Sequence, residues 1–233
     1  GDGSNSLVLT KLIQGYGRQR LPKIALLRGG TINIAANSCG VRGSPAGLVI
    51  NLVDKYRQGE AFETSWVDTL RVEKRYGFVF GNGFIHSFLE ELYGAGKSPW
   101  MAAKLVGKGI GSAMVRGPFA ARMFAGIEAR VVVDGKEISH RKFAALGAGT
   151  VSQIGLGFKA FHRANESPHT FHLLGVLCSP FRFAGSMPRI YRGKKVSDKK
   201  MFETVATDVR IESAGPIGYT LDGENYTGPA RLT

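Results

Sequence analysis

Cysteine is scarce here: Cys39 and Cys178 are the only two in 233 residues. They lie far apart, each in an apolar setting, with no Cys-x-x-Cys pair or other metal-type spacing. A disulfide scaffold and a zinc ribbon are thereby excluded, and reduced core thiols of a cytosolic protein are expected. Long apolar runs are missing as well. None reaches the ~20 residues that cross a bilayer, and no signal peptide is visible. No Gly-x-Ser-x-Gly elbow marks a serine hydrolase. The five histidines (His86, His140, His162, His169 and His172) have no carboxylate or cysteine beside them at a zinc-like spacing, so no histidine metal site is expected.

Acids are also in deficit, 18 against 31 lysines and arginines, leaving a net charge of +13. Such a surplus favours phosphate-bearing partners: nucleotides, nucleic acid or anionic lipid headgroups. The basic residues are dispersed, with Lys194-Lys195 and Lys199-Lys200 the densest patch, and lack the interleaved aromatics of an RNA-binding sheet. No specific nucleic-acid partner is therefore expected.

What is present argues for a packed protein. The chain is 43% apolar and 10% aromatic, far from the composition of disorder. Residues 24–27 (IALL) read as a short buried strand, and Gly29-Gly30 free the backbone after it. Residues 31–40 read as a helix ending on Gly40. A strand, a glycine turn and a helix start present unpaired N–H groups to an anion, so Gly29, Gly30, Thr31 and Asn33 are candidate phosphate contacts. Upstream, Gly1-Asp2-Gly3-Ser4 reads as a loop into a helix over residues 5–16, with Ser4 or Asn5 as N-cap and Leu7, Val8, Leu12 and Ile13 on its buried face. The chain opens as if inside a motif, and a missing N-terminal portion is expected. Residues 45–58 predict an amphipathic helix with Leu48, Leu52, Val53 and Tyr56 on one side.

From about residue 60 the pattern turns to strands: 63–72, 75–80, 128–133, 136–138, 143–149, 170–178, 203–213, 217–221 and 226–232. Helices are expected at 85–93 and 99–115, with a short one within 181–192. Asp134-Gly135 and Asp222-Gly223 are hairpin-turn pairs. Asp2, held between glycines, could approach a substrate hydroxyl or a metal–phosphate, and Asp222 and Glu224 could bring two further carboxylates to the same place.

The ordered set Gly1-Asp2-Gly3-Ser4, Gly29-Gly30-Thr31-Ile32-Asn33, Gly81-Asn82-Gly83-Phe84, Gly155-Leu156-Gly157-Phe158 and Asp222-Gly223-Glu224 resembles the diacylglycerol kinase catalytic-domain family. Within it the chain is most similar to the bacterial soluble lipid kinases, which are related to sphingosine kinases and NAD kinases. The resemblance implies a fold of two kinds: the C-terminal part of an α/β nucleotide-binding domain over residues 1–59, then an all-β sandwich domain with inserted helices over 60–233, with 222–224 returning to the cleft. It implies an ATP- and Mg²⁺-dependent lipid kinase, cytoplasmic, touching anionic membranes peripherally and phosphorylating the hydroxyl of a diacylglycerol- or sphingoid-like lipid. Gly1, Gly3, Ser4, Gly29, Gly30, Thr31 and Asn33 would bind the nucleotide, Asp2 and Glu224 would be the catalytic acids, and Asp222 would face the metal. Departures from the family pattern are Ile34 and Ile85, where acids are usual. A third is the stretch 167–172, which in some bacterial members carries carboxylates around a structural magnesium. They keep two rivals open: a nucleotide- or lipid-binding relative that has lost its chemistry, and NAD kinase-like activity.

Overall fold

The computed structural model describes residues 2–30, 33–96, 98–197 and 199–233, apart from the side chains of Asp2 and Pro99. Three helices come first: α1 (Asp2–Tyr16), α2 (Ile34–Ser38) and α3 (Pro45–Arg57). Two short strands follow, β1 (Leu70–Val72) and β2 (Arg75–Gly77), and then β3 (Val79–Asn82). Next are α4 (Phe84–Ala95), α5 (Pro99–Met114), α6 (Pro118–Met123), β4 (Ile127–Val133), β5 (Lys136–Glu137), β6 (Lys142–Phe143), β7 (Ala145–Gly149) and β8 (Phe171–Val176). The chain closes with α7 (Pro180–Ala184), α8 (Met187–Tyr191), β9 (Met201–Ala206), β10 (Val209–Ser213), β11 (Ile217–Leu221), β12 (Glu224–Gly228) and β13 (Arg231–Leu232).

Two antiparallel sheets face each other. One runs β12-β11-β3-β7-β8-β9; the other runs β13-β10-β4-β5, with β6 also on β4. Alternate residues of each sheet point inward, as a period of two requires. Phe80, Leu146, Leu173 and Leu221 from the first sheet thus meet Val131, Val133, Ile211 and Leu232 from the second in one buried cluster. Each such side chain contributes about 1.5–3 kcal/mol of burial, so this seam holds the sandwich together. The turns are those the sequence indicates. Asp134 and Gly135 have φ of 47° and 79°, and Asp222 and Gly223 have 48° and 84°. Both central residues are left-handed in each, the geometry of a two-residue hairpin turn matched to strand twist.

The N-terminal region departs from expectation in three ways. First, residues 24–27 form no strand and pair with no described strand, and Ile24 and Leu27 are 45% and 39% exposed. A strand is a ladder, and without a neighbour its N–H and C=O groups turn to water. Among the described residues, the expected α/β domain therefore shows helices but no sheet. Second, α3 forms where expected, its start capped by the Ser44 hydroxyl accepting from Gly47 N and by Pro45, yet none of its residues is buried. Third, α1 starts earlier and faces the other way: Asp2, Gly3 and Ser4 are in its first turn, not a loop, and Ser4 and Asn5 do not cap it.

Leu7 and Val8 of α1 are exposed, whereas Ser6, Leu9 and Thr10 are buried. The cause is β2, whose backbone needs partners on that side. Ser6 Oγ donates to Tyr76 O at 2.7 Å, Thr10 Oγ1 accepts from Tyr76 N at 2.9 Å, and Gln14 Nε2 donates to Lys74 O at 3.2 Å. Polar side chains at i, i+4 and i+8 act as a substitute strand edge, and the apolar stripe follows where they lead. Of the longer β-type run at 63–72 only β1 forms, and α6 carries no sequence signal beyond Pro118 at its start, being too short for a periodicity.

Candidate functional site

Docking α1 on β2 carries the first turn of α1 to the β11–β12 hairpin. A Cβ built on Gly3 would fall 2.5 Å from Glu224 Cγ and 2.8 Å from its Cδ, so only glycine lets the carboxylate lie against the helix here. The first N–H groups of a helix have no intrahelical partner, and the positive end of its dipole favours a negative charge. Gly3, Ser4 and Glu224, distant in sequence, are thus gathered at one place. Asp2 belongs to the same turn, its side chain outside the described residues, as is all of Gly1.

A residue not foreseen from the sequence joins them. Tyr93, in the last turn of α4, has its phenol pushed up to about 12, first by burial and then by the Glu224 charge and by Tyr226. It therefore keeps its proton beside a carboxylate at any physiological pH. The only trace in the sequence is the helical period that puts Leu89 and Leu92 on the buried side of α4; nothing local links Tyr93 to Glu224.

Asp222, expected at a metal, is placed otherwise. It is buried, and its Oδ1 accepts from both Phe78 N and Val79 N at 2.9 Å, while its own N–H donates to Val79 O at 2.9 Å. These bonds satisfy the β2–β3 turn and fix the hairpin that presents Glu224. An acid accepting backbone N–H groups in a buried site is a structural clamp, and this role is the one its Oδ1 plays here.

The glycine loop folds back on itself. Gly30 N–H donates to Asn33 Oδ1 at 2.8 Å and Asn33 Nδ2 donates to Gly30 O at 2.6 Å, with Asn33 left-handed at φ 57°. Both ends of the amide close the loop and hold it at the start of α2. Gly29 has nothing within 4 Å of where a Cβ would be. Thr31, the hydroxyl expected at the phosphate, lies outside the described residues with Ile32. Ile34, where an acid was anticipated, is a core residue, packed with Leu9, Ala35, Phe78 and Val151 under α1. Ile85 likewise packs on the second sheet-side cluster and fills the space left by Gly81.

The motif at 81–84 builds the fold. Asn82 is fully buried and accepts from Leu146 N at 2.8 Å through Oδ1, tying β3 to β7. Gly83, with φ 59° and ψ −132°, passes so close to β7 that a Cβ would lie 2.9 Å from Ala145 Cα. The stretch 155–157 is also a turn, with positive φ at all three residues.

Elsewhere a cavity of about 410 Å³ opens between the sheets, floored by Val72, Phe80, Leu173, Ile211 and Leu232 and rimmed by Asp68 and His169. His172 is wholly buried; desolvation, with His162 and Arg163 adding, takes its pKa down to about 3, so its imidazole is neutral at pH 7. Both thiols are free cysteines whose pKa is raised by burial; Cys178 is the core thiol expected, whereas Cys39 is only half-buried.

A mixed α and β protein with an antiparallel sandwich and a helix-borne N-terminal region gathered at one of its hairpins is the class this geometry defines. No protein-family model and no curated protein matches the sequence. Three solved structures from Bacillus anthracis share its fold. A putative diacylglycerol kinase matches with a TM-score of 0.69 at 15% identity, covering 100% of this chain and 70% of its own. Another matches at 0.64 and 16%, covering 100% and 72%, and a diacylglycerol kinase at 0.59 and 15%, covering 91% and 63%. The chain thus has the fold of bacterial diacylglycerol kinase-like proteins and spans 63–72% of the length of these structures.

Proposed function

We propose that the protein is an ATP- and Mg²⁺-dependent lipid kinase that phosphorylates the hydroxyl of a diacylglycerol- or sphingoid-like lipid. The observation that carries this reading is the meeting of the α1 first turn with Glu224 in a chain that has the fold of diacylglycerol kinase structures. Phosphoryl transfer needs little covalent chemistry from the protein: in-line positioning, neutralised phosphate charge and an acid to take the attacking hydroxyl's proton. Unpaired N–H groups at the helix start, with Gly3 and Ser4, suit the phosphates. Asp2 takes the role of the proton-accepting acid, and Glu224 would hold the nucleotide's magnesium, which would supply charge to neutralise the phosphate oxygens. The apolar cavity between the sheets offers room for an acyl chain.

No described helix is long and apolar enough to cross a membrane. A docking edge fits the reading better: Trp100, Met114 and Val115 are exposed on or just after α5, interspersed with Lys104, Lys108 and Arg116, the mixture that settles into an anionic headgroup layer.

The test is transfer of labelled phosphate from ATP to a panel of lipids by the natural protein, with NAD as a parallel acceptor. Asp2→Asn is expected to lower lipid phosphorylation by about 10²–10⁴-fold with the melting temperature nearly unchanged; undiminished turnover would remove Asp2 from the chemistry. A second reading, a binding relative without catalysis, has one observation in its favour: Ile34 and Ile85 are packed as core residues, so no carboxylate stands at either place. ATP binding without transfer to any acceptor would establish it.

A further inference from the structure

The histidines, unpromising in sequence, come together in space. His172 lies on β8, and Glu203 on the neighbouring edge strand β9. In the antiparallel register Glu203 stands opposite Leu174, two residues along from His172, so both side chains leave the same face as diagonal neighbours. His162 reaches them from the long irregular segment between β7 and β8, its ring 5.0 Å from that of His172 and nearly perpendicular to it, at 83°. One ligand atom from each of the three residues lies within 4.8 Å of the other two.

We propose that His162, His172 and Glu203 form a binding site for a divalent transition-metal cation of the zinc class. The argument begins with the gap between two of them. His172 Nε2 is buried without a hydrogen-bond partner and points at Glu203 Oε2 from 3.7 Å. That is too long for an N–H···O bond. It is close to the separation of two donors on one tetrahedral zinc, about 3.3–3.6 Å for bonds of 2.0–2.2 Å.

Charge supplies the second argument. The side chains of His172 and Glu203 are 0% and 6% exposed, and a carboxylate so enclosed calls for a countercharge. The guanidinium of the neighbouring Arg163 feels the Glu203 charge through space, but its hydrogen bonds go to Glu166, through both Nε and Nη2. A divalent cation would add positive charge in direct contact with the carboxylate and give Nε2 a partner together.

Ligand type sets the class of ion. Two imidazoles and one carboxylate suit zinc, cobalt or nickel, whereas magnesium prefers oxygen ligands alone. His172 Nδ1 accepts from Arg163 N at a long 3.4 Å; binding through Nε2 moves the ring proton to Nδ1 and gives up that weak contact. Three protein ligands leave a fourth position for water. Bound metal would pin the segment between β7 and β8 to the sheet edge. This site is independent of the kinase reading, since it uses none of the residues at the Glu224 cleft.

The experiment is calorimetric titration of zinc chloride into chelator-treated, dialysed protein, with cobalt chloride giving visible d–d bands as a second readout. His162→Ala removes the most accessible ligand, and Glu203→Gln keeps the shape of the third; thermal unfolding confirms that each variant folds. The expected result is one zinc per chain, a rise in melting temperature with zinc, and binding weakened at least about 100-fold in both variants, the upper end of what loss of a mere outer-shell partner costs. Absence of zinc binding, equal binding by wild type and both variants, or an equal response to magnesium would each overturn the proposal.

Discussion

Asp222→Ala is expected to destabilise the protein by about 2–6 kcal/mol, because it takes the acceptor from two backbone N–H groups at once, one buried and one part-buried, at about 1–3 kcal/mol each. The bonds at stake are those from Phe78 N and Val79 N to Oδ1, both 2.9 Å, the first buried and the second part-buried. For a chain of this size the loss corresponds to a drop in melting temperature of roughly 5–20 °C. Asp222→Asn keeps an oxygen acceptor in the same place and should cost less than half as much. Its backbone penalty is small, since asparagine tolerates the left-handed φ of 48° at this position. Urea unfolding of the two variants checks the ordering. A metal-ligand role for Asp222 predicts the reverse pattern: little loss of stability in metal-free buffer for either variant and loss of metal-dependent activity in both. A cost of less than 1 kcal/mol for the alanine variant would remove the clamp assignment.

The contrast between Asp222 and Glu224 shows what the sequence can and cannot convey. Asp222-Gly223 announced a hairpin turn, and the turn is there with both residues left-handed. The same local grammar made Asp134-Gly135, the strands at 128–133 and 217–221, and the helices begun by Pro45 and Pro99 legible, because turn chemistry, side-chain alternation and capping act within a few residues. Which carboxylate holds backbone and which lies against α1 depends on contacts with β3 and α1, more than 130 residues away, and no local signal carries that.

The same limit explains the errors. The buried face of α1 was read from its apolar residues, but the partner it meets is an open strand edge, which selects the hydroxyls of Ser6 and Thr10. The run Ile24–Leu27 has strand composition and no strand neighbour, and composition alone does not make a ladder. Glu203 and His172 become neighbours only through the register of β8 with β9, and Tyr93 meets Glu224 only through the packing of α4 on β11 and β12. The ordered motifs did convey the fold, because several of their glycines are steric necessities: Gly3 against Glu224, Gly81 against Ile85 and Gly83 against β7.

Gly83→Ala is the sharpest test of that last point, and its expected cost is about 2–6 kcal/mol. Two effects combine. At φ 59° and ψ −132° an L side chain is strained by about 1–3 kcal/mol. The added methyl would also overlap the Ala144 carbonyl and lie 2.9 Å from Ala145 Cα, backbone atoms that cannot rotate away, adding about 1–3 kcal/mol of overpacking. The carbonyl it strikes is the one that accepts from Phe84 N at 2.9 Å, so relief of the clash breaks the bond that joins the start of α4 to β7. Because Tyr93 lies at the far end of α4, a displaced helix start also moves the phenol that borders Glu224. Gly94→Ala, on the same helix with nothing within 4 Å of its Cβ position, is the matched control. It should be neutral or stabilising by up to about 1 kcal/mol, since alanine is the better helix former. Thermal unfolding of the pair decides the matter: if the two variants melt together, the close approach at Gly83 does not constrain the fold, and the 81–84 motif must owe its place in the chain to the cleft.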